Sequence, residues 1–338
     1  MKKLICLILM IGCFGASSAW AQSMAPSASN TLKLEEQVEF KSWPNCIRLR
    51  NNEIELIITT DIGPRILRFG FIGEPNMFYI SPADTGKTGG VEWHLYGGHR
   101  FWLAPEIFPR TYYPDNTPVR YTWDGETLKL TQDIEPETQT VKEIEIRMDP
   151  GKNEIEVLHR ILNEGSSAVE LAPWAISACA PGGRAIVPQE PYIDPADLLL
   201  PARPLVLWAF TKMNDPRYVW GEKFIQAKHD PGLLSETKIG VLNKQEWAAF
   251  IRDEYLFLKT FEFNPEALYP DYGCNNEVYM NGDFLEVESL GPLIQIAPQG
   301  NIEHHEKWLL YQIEAINSDD EEKINQVIEP LLKLSLDP

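Results

Sequence analysis

From Glu92 to Glu106 the chain reads Glu-Trp-His-Leu-Tyr-Gly-Gly-His-Arg-Phe-Trp-Leu-Ala-Pro-Glu, which crowds His94, His99, Arg100, Glu92 and Glu106 among aromatic residues around a glycine pair. Gly97 and Gly98 can take positive φ and let the backbone approach a ligand closely. Trp102 offers a flat apolar face, and Arg100 a planar fork of hydrogen-bond donors. Apolar faces beside charged groups suit a sugar ring, which has a C–H face and a rim of hydroxyls. The competing reading is a buried aromatic turn whose histidines only satisfy backbone groups.

Other constellations are weaker. His304 and His305, flanked by Glu303 and Glu306, suggest a metal, but adjacent strand residues point to opposite faces and do not readily chelate one ion. His94 and His99 with Glu106 or Glu277 would make a divalent-metal site only if a loop converged them, and their spacing matches no zinc pattern, so no metal is expected. His159 reads as a locally hydrogen-bonded strand residue. Nucleophile elbow, phosphate loop and dinucleotide fingerprint are all absent, which argues against hydrolase, kinase and dehydrogenase chemistry and predicts no cofactor. A glycosidase needs two carboxylates flanking one bond, and Glu106 with Glu286 is the pair to test.

The elements that must position these groups are strands. Short β-branched or alternating runs occupy 53–60, 65–71, 127–132, 141–148, 155–162, 168–177, 247–251, 255–263, 284–290 and 306–315. In Glu143-Ile-Glu-Ile-Arg-Met148 the period of two predicts charged residues in solvent and apolar ones in a core. Asp124-Gly125, Asp149-Pro-Gly-Lys-Asn153, Asn163-Glu-Gly165 and Asn281-Gly-Asp283 supply turn chemistry for antiparallel pairing. The Pro-rich stretch from Pro181 to Pro216 predicts mainly long loops, with Trp208, Arg217, Tyr218 and Trp220 facing a ligand. A single helix is expected over 318–334, with Ser318 as cap and an outer-face packing stripe, and Pro330 should kink it or end it early. Residues 32–338 then form one large, all-β antiparallel sandwich.

The formal net charge of −19 and the lack of any basic run exclude a nucleic-acid partner. Lys2 and Lys3, the apolar run to Gly15 and Ala19-Trp-Ala21 predict a signal peptide over 1–21, followed by a Ser/Ala/Pro linker over 22–31. The protein is therefore expected outside the cytoplasm, periplasmic or extracellular. Lipid anchoring at Cys13 is the alternative processing. Cleavage after Ala21 leaves Cys46, Cys179 and Cys274, an odd number that precludes a full disulfide framework and is expected to give structural or free thiols. No segment after the leader is long enough to cross a membrane.

Several segments together resemble a known group of proteins: Ile58-Thr-Thr-Asp-Ile-Gly-Pro-Arg-Ile-Leu-Arg-Phe69, Tyr96-Gly-Gly-His-Arg100, Trp102-Leu-Ala-Pro-Glu106, Pro173-Trp-Ala175 and Phe284-Leu-Glu-Val-Glu-Ser-Leu-Gly-Pro-Leu293. They are similar to a bacterial family of unknown function in the galactose-mutarotase-like superfamily, to which the aldose 1-epimerases belong, and they cover most of 45–315. The resemblance implies a β-supersandwich with a sugar-sized cleft, and it implies Glu286 as the base at an anomeric centre with Glu288 on the same strand face. It also implies a sugar-binding histidine at His94 or His99, with Arg100, Trp102 and Glu106 beside it. The sugar-binding aspartate of the superfamily has no matching motif here, although Asp215 and Asp271 lie in suitable loop regions. The general-acid histidine would fall near Ile176 or Ser177, and neither is a histidine. A saccharide is thus the expected ligand, with epimerisation, non-catalytic sugar binding and a structural envelope role as the rival functions.

Overall fold

The computed structural model describes residues 31–336; the expected signal peptide and all but the last residue of the expected linker lie outside them. Twenty-one strands, numbered in chain order, form two sheets in which every pairing between neighbouring strands is antiparallel. The first sheet orders β1 (Lys33–Phe40), β2 (Trp43–Arg50), β3 (Ile54–Thr59), β4 (Arg65–Phe71), β5 (His99–Ala104), β10 (Val169–Cys179), β19 (Leu285–Leu290), β18 (Asn276–Met280), β15 (Thr237–Val241) and β12 (Leu205–Leu207). A short β20 (Ile294–Ile296) also pairs with β10. The second sheet orders β13 (Tyr218–Trp220), β14 (Phe224–Lys228), β11 (Arg184–Pro188), β16 (Trp247–Arg252), β17 (Tyr255–Phe261), β21 (Asn301–Gln312), β9 (Glu154–Asn163), β8 (Thr140–Met148), β7 (Thr127–Thr131) and β6 (Arg120–Trp123). The expected antiparallel β-sandwich is what forms.

Three apolar layers follow from strand alternation. Between the sheets, Ile47, Leu56, Phe69 and Phe101 meet Leu128, Ile144, Phe257 and Trp308. Outside the second sheet, Ile186, Trp247, Leu256 and Leu309 are covered by Ile324 and Ile328 of the C-terminal helix (Glu321–Leu336), on the outer face as expected. Outside the first sheet, Trp102, Ala172, Trp174, Ile176 and Leu290 form a smaller cluster with Trp93 and Tyr112.

Three local expectations need correction. The helix begins at Glu321 rather than 318, because Asp320, not Ser318, accepts from the first-turn N–H of Glu322. It also runs through Pro330, which sits on the exposed side with Gln326, so the carbonyl left unbonded by the missing proline N–H is open to water. The Pro-rich stretch is mainly loop, as expected, and also holds β11, an internal strand paired with both β14 and β16. Glu143 is buried rather than solvated, since Lys129 and Arg160 close on it at 2.7 and 2.9 Å.

The glycine pair has a different purpose from ligand approach. Gly97 and Gly98 take φ of +92° and +74°, and a Cβ on either would overlap a backbone carbonyl, Tyr79 O or Ile66 O. They let one chain segment cross another. Fully buried Arg65 fixes that crossing by donating to the carbonyls of Leu95 and Gly97 at 3.1 and 2.7 Å and to Asp115 at 2.6 Å. Gly98→Ala should therefore destabilise by about 2–4 kcal/mol, from left-handed strain plus overpacking. Gly89→Ala is the control: φ is +70° there too, but a Cβ meets nothing within 4 Å. Thermal denaturation of both variants separates the two terms, and equal losses would remove the steric account.

Candidate functional site

The cleft is built on the outer face of the first sheet, where strand register sets residues side by side. One row across β5, β10, β19 and β18 holds Arg100, Ile176, Glu288 and Glu277. The next row, across β10, β19, β18 and β15, holds Ala178, Glu286, Tyr279 and Lys238. The two rows are tied diagonally. Arg100 Nη1 donates to Glu286 Oε1 at 2.6 Å, and Lys238 Nζ lies 2.7 Å from Glu277 and 2.9 Å from Glu288.

Indoles enclose these charges. Arg100 lies under Trp102 with 4.5 Å to the ring centroid, and Lys238 is held between Trp174 and Trp208 at 4.4 and 4.7 Å. Trp174 Nε1 also donates to Glu288 Oε2 at 2.8 Å. With Phe210, Tyr112 and Phe284 these residues line a cleft of about 380 Å³, whose mouth carries Glu106, Glu236 and Asp283. Its volume and mix of aromatic faces with a few charged groups suit a small polar ligand.

Burial governs the titration of the floor. It pushes the Glu286 carboxyl up against the opposing pull of Arg100, with Glu288 adding repulsion. Glu277 is raised well above the ordinary carboxylate range, by burial first, and Asp271 is raised for the same reason. Lys238 goes the other way: burial alone would lower it, but Glu277 and Glu288 override burial and hold it charged. Only Oε1 of Glu286 is engaged among the described residues, so Oε2 is available to a ligand.

Of the residues expected from sequence, Arg100, Trp102, Glu106 and Glu286 line this cleft, and Glu288 lies directly beneath it. Glu106 accepts from Tyr112 OH. His99 does not belong to the cleft. It precedes Arg100 on one strand, so it points to the opposite face and is buried between the sheets. His94 is not in the cleft wall either; its Nδ1 is 3.1 Å from Asp84 Oδ1. Glu92 is exposed outside it. Arg217, expected to face ligand, is instead buried in an ion pair with Asp215 at 2.7 Å, while Tyr218 is in the core; Trp208 does reach the cleft. Lys238 is the residue of the cleft floor that sequence reasoning did not name, and Glu277 was named there only as a metal partner of His94 or His99. A lone lysine in the apolar run Thr237-Lys-Ile-Gly-Val241 was the available signal.

Between the sheets His99 joins a second polar group. His159 Nδ1 faces the carbonyl of His304 at 3.2 Å, and a carbonyl only accepts, so Nδ1 carries the proton and Nε2 is an acceptor. His99 Nε2 then donates to His159 Nε2 across 2.7 Å, and Ser177 OH donates to His99 Nδ1 across 2.9 Å. Glu306 accepts from Ser289 OH, Trp308 Nε1 and Lys259 Nζ at 2.5, 2.8 and 2.9 Å. His99, His159 and Glu306 are close enough to hold a metal ion. Their lone pairs are already used, however, and the Lys259 ammonium sits where a second cation would be repelled. His94, His99, Glu106 and Glu277 are not brought together as a metal set. Cys46, Cys179 and Cys274 are all buried with free thiols. A larger groove of about 760 Å³ on the outer face of the second sheet is walled mainly by side chains such as Glu145, Arg147, Glu156 and Lys307 of a partly solvated strand face. No helix among the described residues is long and apolar enough to cross a membrane.

No family model matches the chain, and no curated protein matches it. Solved structures do. A galactose mutarotase-like protein from Lactobacillus casei aligns with a TM-score of 0.53 at 10% identity, over 79% of this chain and 100% of that one. A provisional aldose 1-epimerase from Klebsiella pneumoniae aligns with a TM-score of 0.54 at 12% identity, over 90% and 88% of the two chains. A TPR-domain containing protein from Parabacteroides distasonis aligns with a TM-score of 0.54 at 12% identity over 83% of this chain, which spans only 51% of that longer protein. At such identities the likeness concerns backbone architecture, and it agrees with the two sheets and their pairing: the chain has the galactose-mutarotase-like fold.

Proposed function

We propose that the protein binds a saccharide in the cleft on the outer face of the first sheet, and that Glu286 acts there as a base on the anomeric hydroxyl. The observation that carries this reading is the buried Arg100–Glu286 pair, open to the cleft through the free Glu286 Oε2 and flanked by the Trp102, Trp174 and Trp208 rings. A sugar C–H face stacks on an indole, while hydroxyls meet the carboxylate and guanidinium. In the chemical step Glu286 Oε2 takes the O1 proton, the C1–O5 bond opens to an aldehyde, and O5 takes a proton from cleft water. Reclosure on the other face of C1 returns both protons. Export from the cytoplasm belongs to the same proposal and rests on the N-terminal sequence.

Binding without chemistry is the second reading, and one observation favours it. Ile176 stands in the Arg100 row where an imidazole donor would sit, and no histidine lines the cleft among the described residues. Titration calorimetry of the chain against monosaccharides, with Glu286→Gln and Arg100→Ala alongside, tests the binding claim. Glu286→Gln should weaken binding by about 10–100-fold, the loss of a charge-assisted hydrogen bond. Polarimetry on a sugar that binds then decides chemistry: mutarotation faster than buffer and lost in Glu286→Gln supports the base, and an unchanged rate leaves a binding protein.

A further inference from the structure

The charges of the cleft are unevenly matched, and the imbalance selects a ligand class. Its two cations are both taken. Arg100 is paired with Glu286 and covered by Trp102, and Lys238 faces two carboxylates, Glu277 and Glu288, between two indoles. Three lining carboxylates, in contrast, have no cationic partner among the described residues. Glu106 accepts from Tyr112 OH, Glu236 accepts from Tyr279 OH at 3.0 Å, and the Asp283 side chain is exposed at the mouth. A fourth carboxylate points inward from the floor: Glu286 is 6% exposed and uses one oxygen of two.

We propose, resting on the saccharide reading above, that this cleft prefers sugars bearing a free amino group and rejects uronates and sugar phosphates. An ammonium gains from Glu286 Oε2 and the rim carboxylates and from the indole faces, which attract cations. A carboxylate or phosphate meets the same four groups as repulsion, and its natural partners Arg100 and Lys238 are already neutralised by protein carboxylates. Neutral sugars sit between these limits. Burial strengthens the Glu286 contribution over that of the rim groups, which salt screens.

The test is calorimetry at pH 7 with matched triplets that differ at one group: galactose, galactosamine and galacturonate, then glucose, glucosamine and glucose 6-phosphate. The amino sugar of at least one triplet should bind about tenfold tighter than its neutral partner, and the acidic member should not bind. Raising salt should shrink the preference, and a Glu106→Gln/Glu236→Gln variant should shrink it while keeping the neutral sugar. Acidic members that bind as tightly as neutral ones overturn the charge selectivity and leave the saccharide reading standing. Equal binding of amino and neutral sugars overturns it as well. Silence from every sugar overturns both.

Discussion

Between pH 7 and pH 5 the histidines buried between the sheets are expected to take about 5 kcal/mol from the stability of the folded protein, offset in part by the raised carboxyls of Glu277 and Glu286, which take up protons in the folded state first. The source is the imidazole chain between the sheets. Burial holds His99 well below its ordinary value, His159 at about 4 and His304 at about 3. In the unfolded chain each takes up its proton near pH 6.5. The unfolded state therefore binds more protons below pH 6.5, and stability falls as pH drops, with a limiting slope of about 1.4 kcal/mol per pH unit for each histidine. Glu306 is the next to contribute. Burial alone would raise it, but Lys259 and its neighbours hold it below the usual carboxylate range, so its stabilisation is lost only as pH falls beneath the unfolded carboxylate value. Denaturant midpoints at pH 7, 6 and 5 measure the slope. Imidazole resonances that titrate near 6.5 in the folded protein would contradict the closed network.

Lys238→Met should cost about 3–5 kcal/mol, the penalty for leaving buried charge without its partner. Methionine keeps the apolar stem between Trp174 and Trp208, so the loss isolates the ammonium. What remains is Glu277 beside Glu288 in register on adjacent strands, both fully buried, with Asp271 adding repulsion to the first. Two such carboxylates cannot both stay ionised. A Lys238→Met/Glu277→Gln double variant should regain half or more of the loss, since one charge is then removed along with its counter-charge. Thermal unfolding of the single and double variants against the parent is the measurement. A single variant within about 1 kcal/mol of the parent would show that the cluster is already uncharged.

How much of this was legible in the sequence depended on what each strand carries. Arg65–Phe71 and Glu154–Asn163 keep a clean apolar signal and were found within a residue or so of their ends. β1 was not, because register shifts on either side of Val38 break its period of two. The cleft strands β5, β15 and β18 were missed for a different reason. His99-Arg-Phe-Trp-Leu-Ala, Thr237-Lys-Ile-Gly-Val and Asn276-Glu-Val-Tyr-Met bury polar residues on faces that a pattern reader expects to be apolar. Within the site, Arg100, Trp102, Glu106, Glu286 and Glu288 were identified from local composition and the resemblance. Lys238 was not, because its partners lie 39 and 50 residues away and only sheet register brings them together. The error over His99 came from treating a histidine and the following arginine as one cluster, when a strand must send them to opposite sides.

That opposition has a wider consequence. Arg100 with His99, Ile176 with Ser177 and Glu288 with Ser289 each divide neighbouring positions between the open cleft and the closed core. The sheet backbone insulates one set from the other, so cleft residues can be replaced while the hydrogen-bond chain that stabilises the sandwich is left intact. Heritable change of ligand taste and heritable retention of architecture then occupy alternate letters of the same short words, which is a physical route by which chains sharing 10–12% of their residues keep one shape.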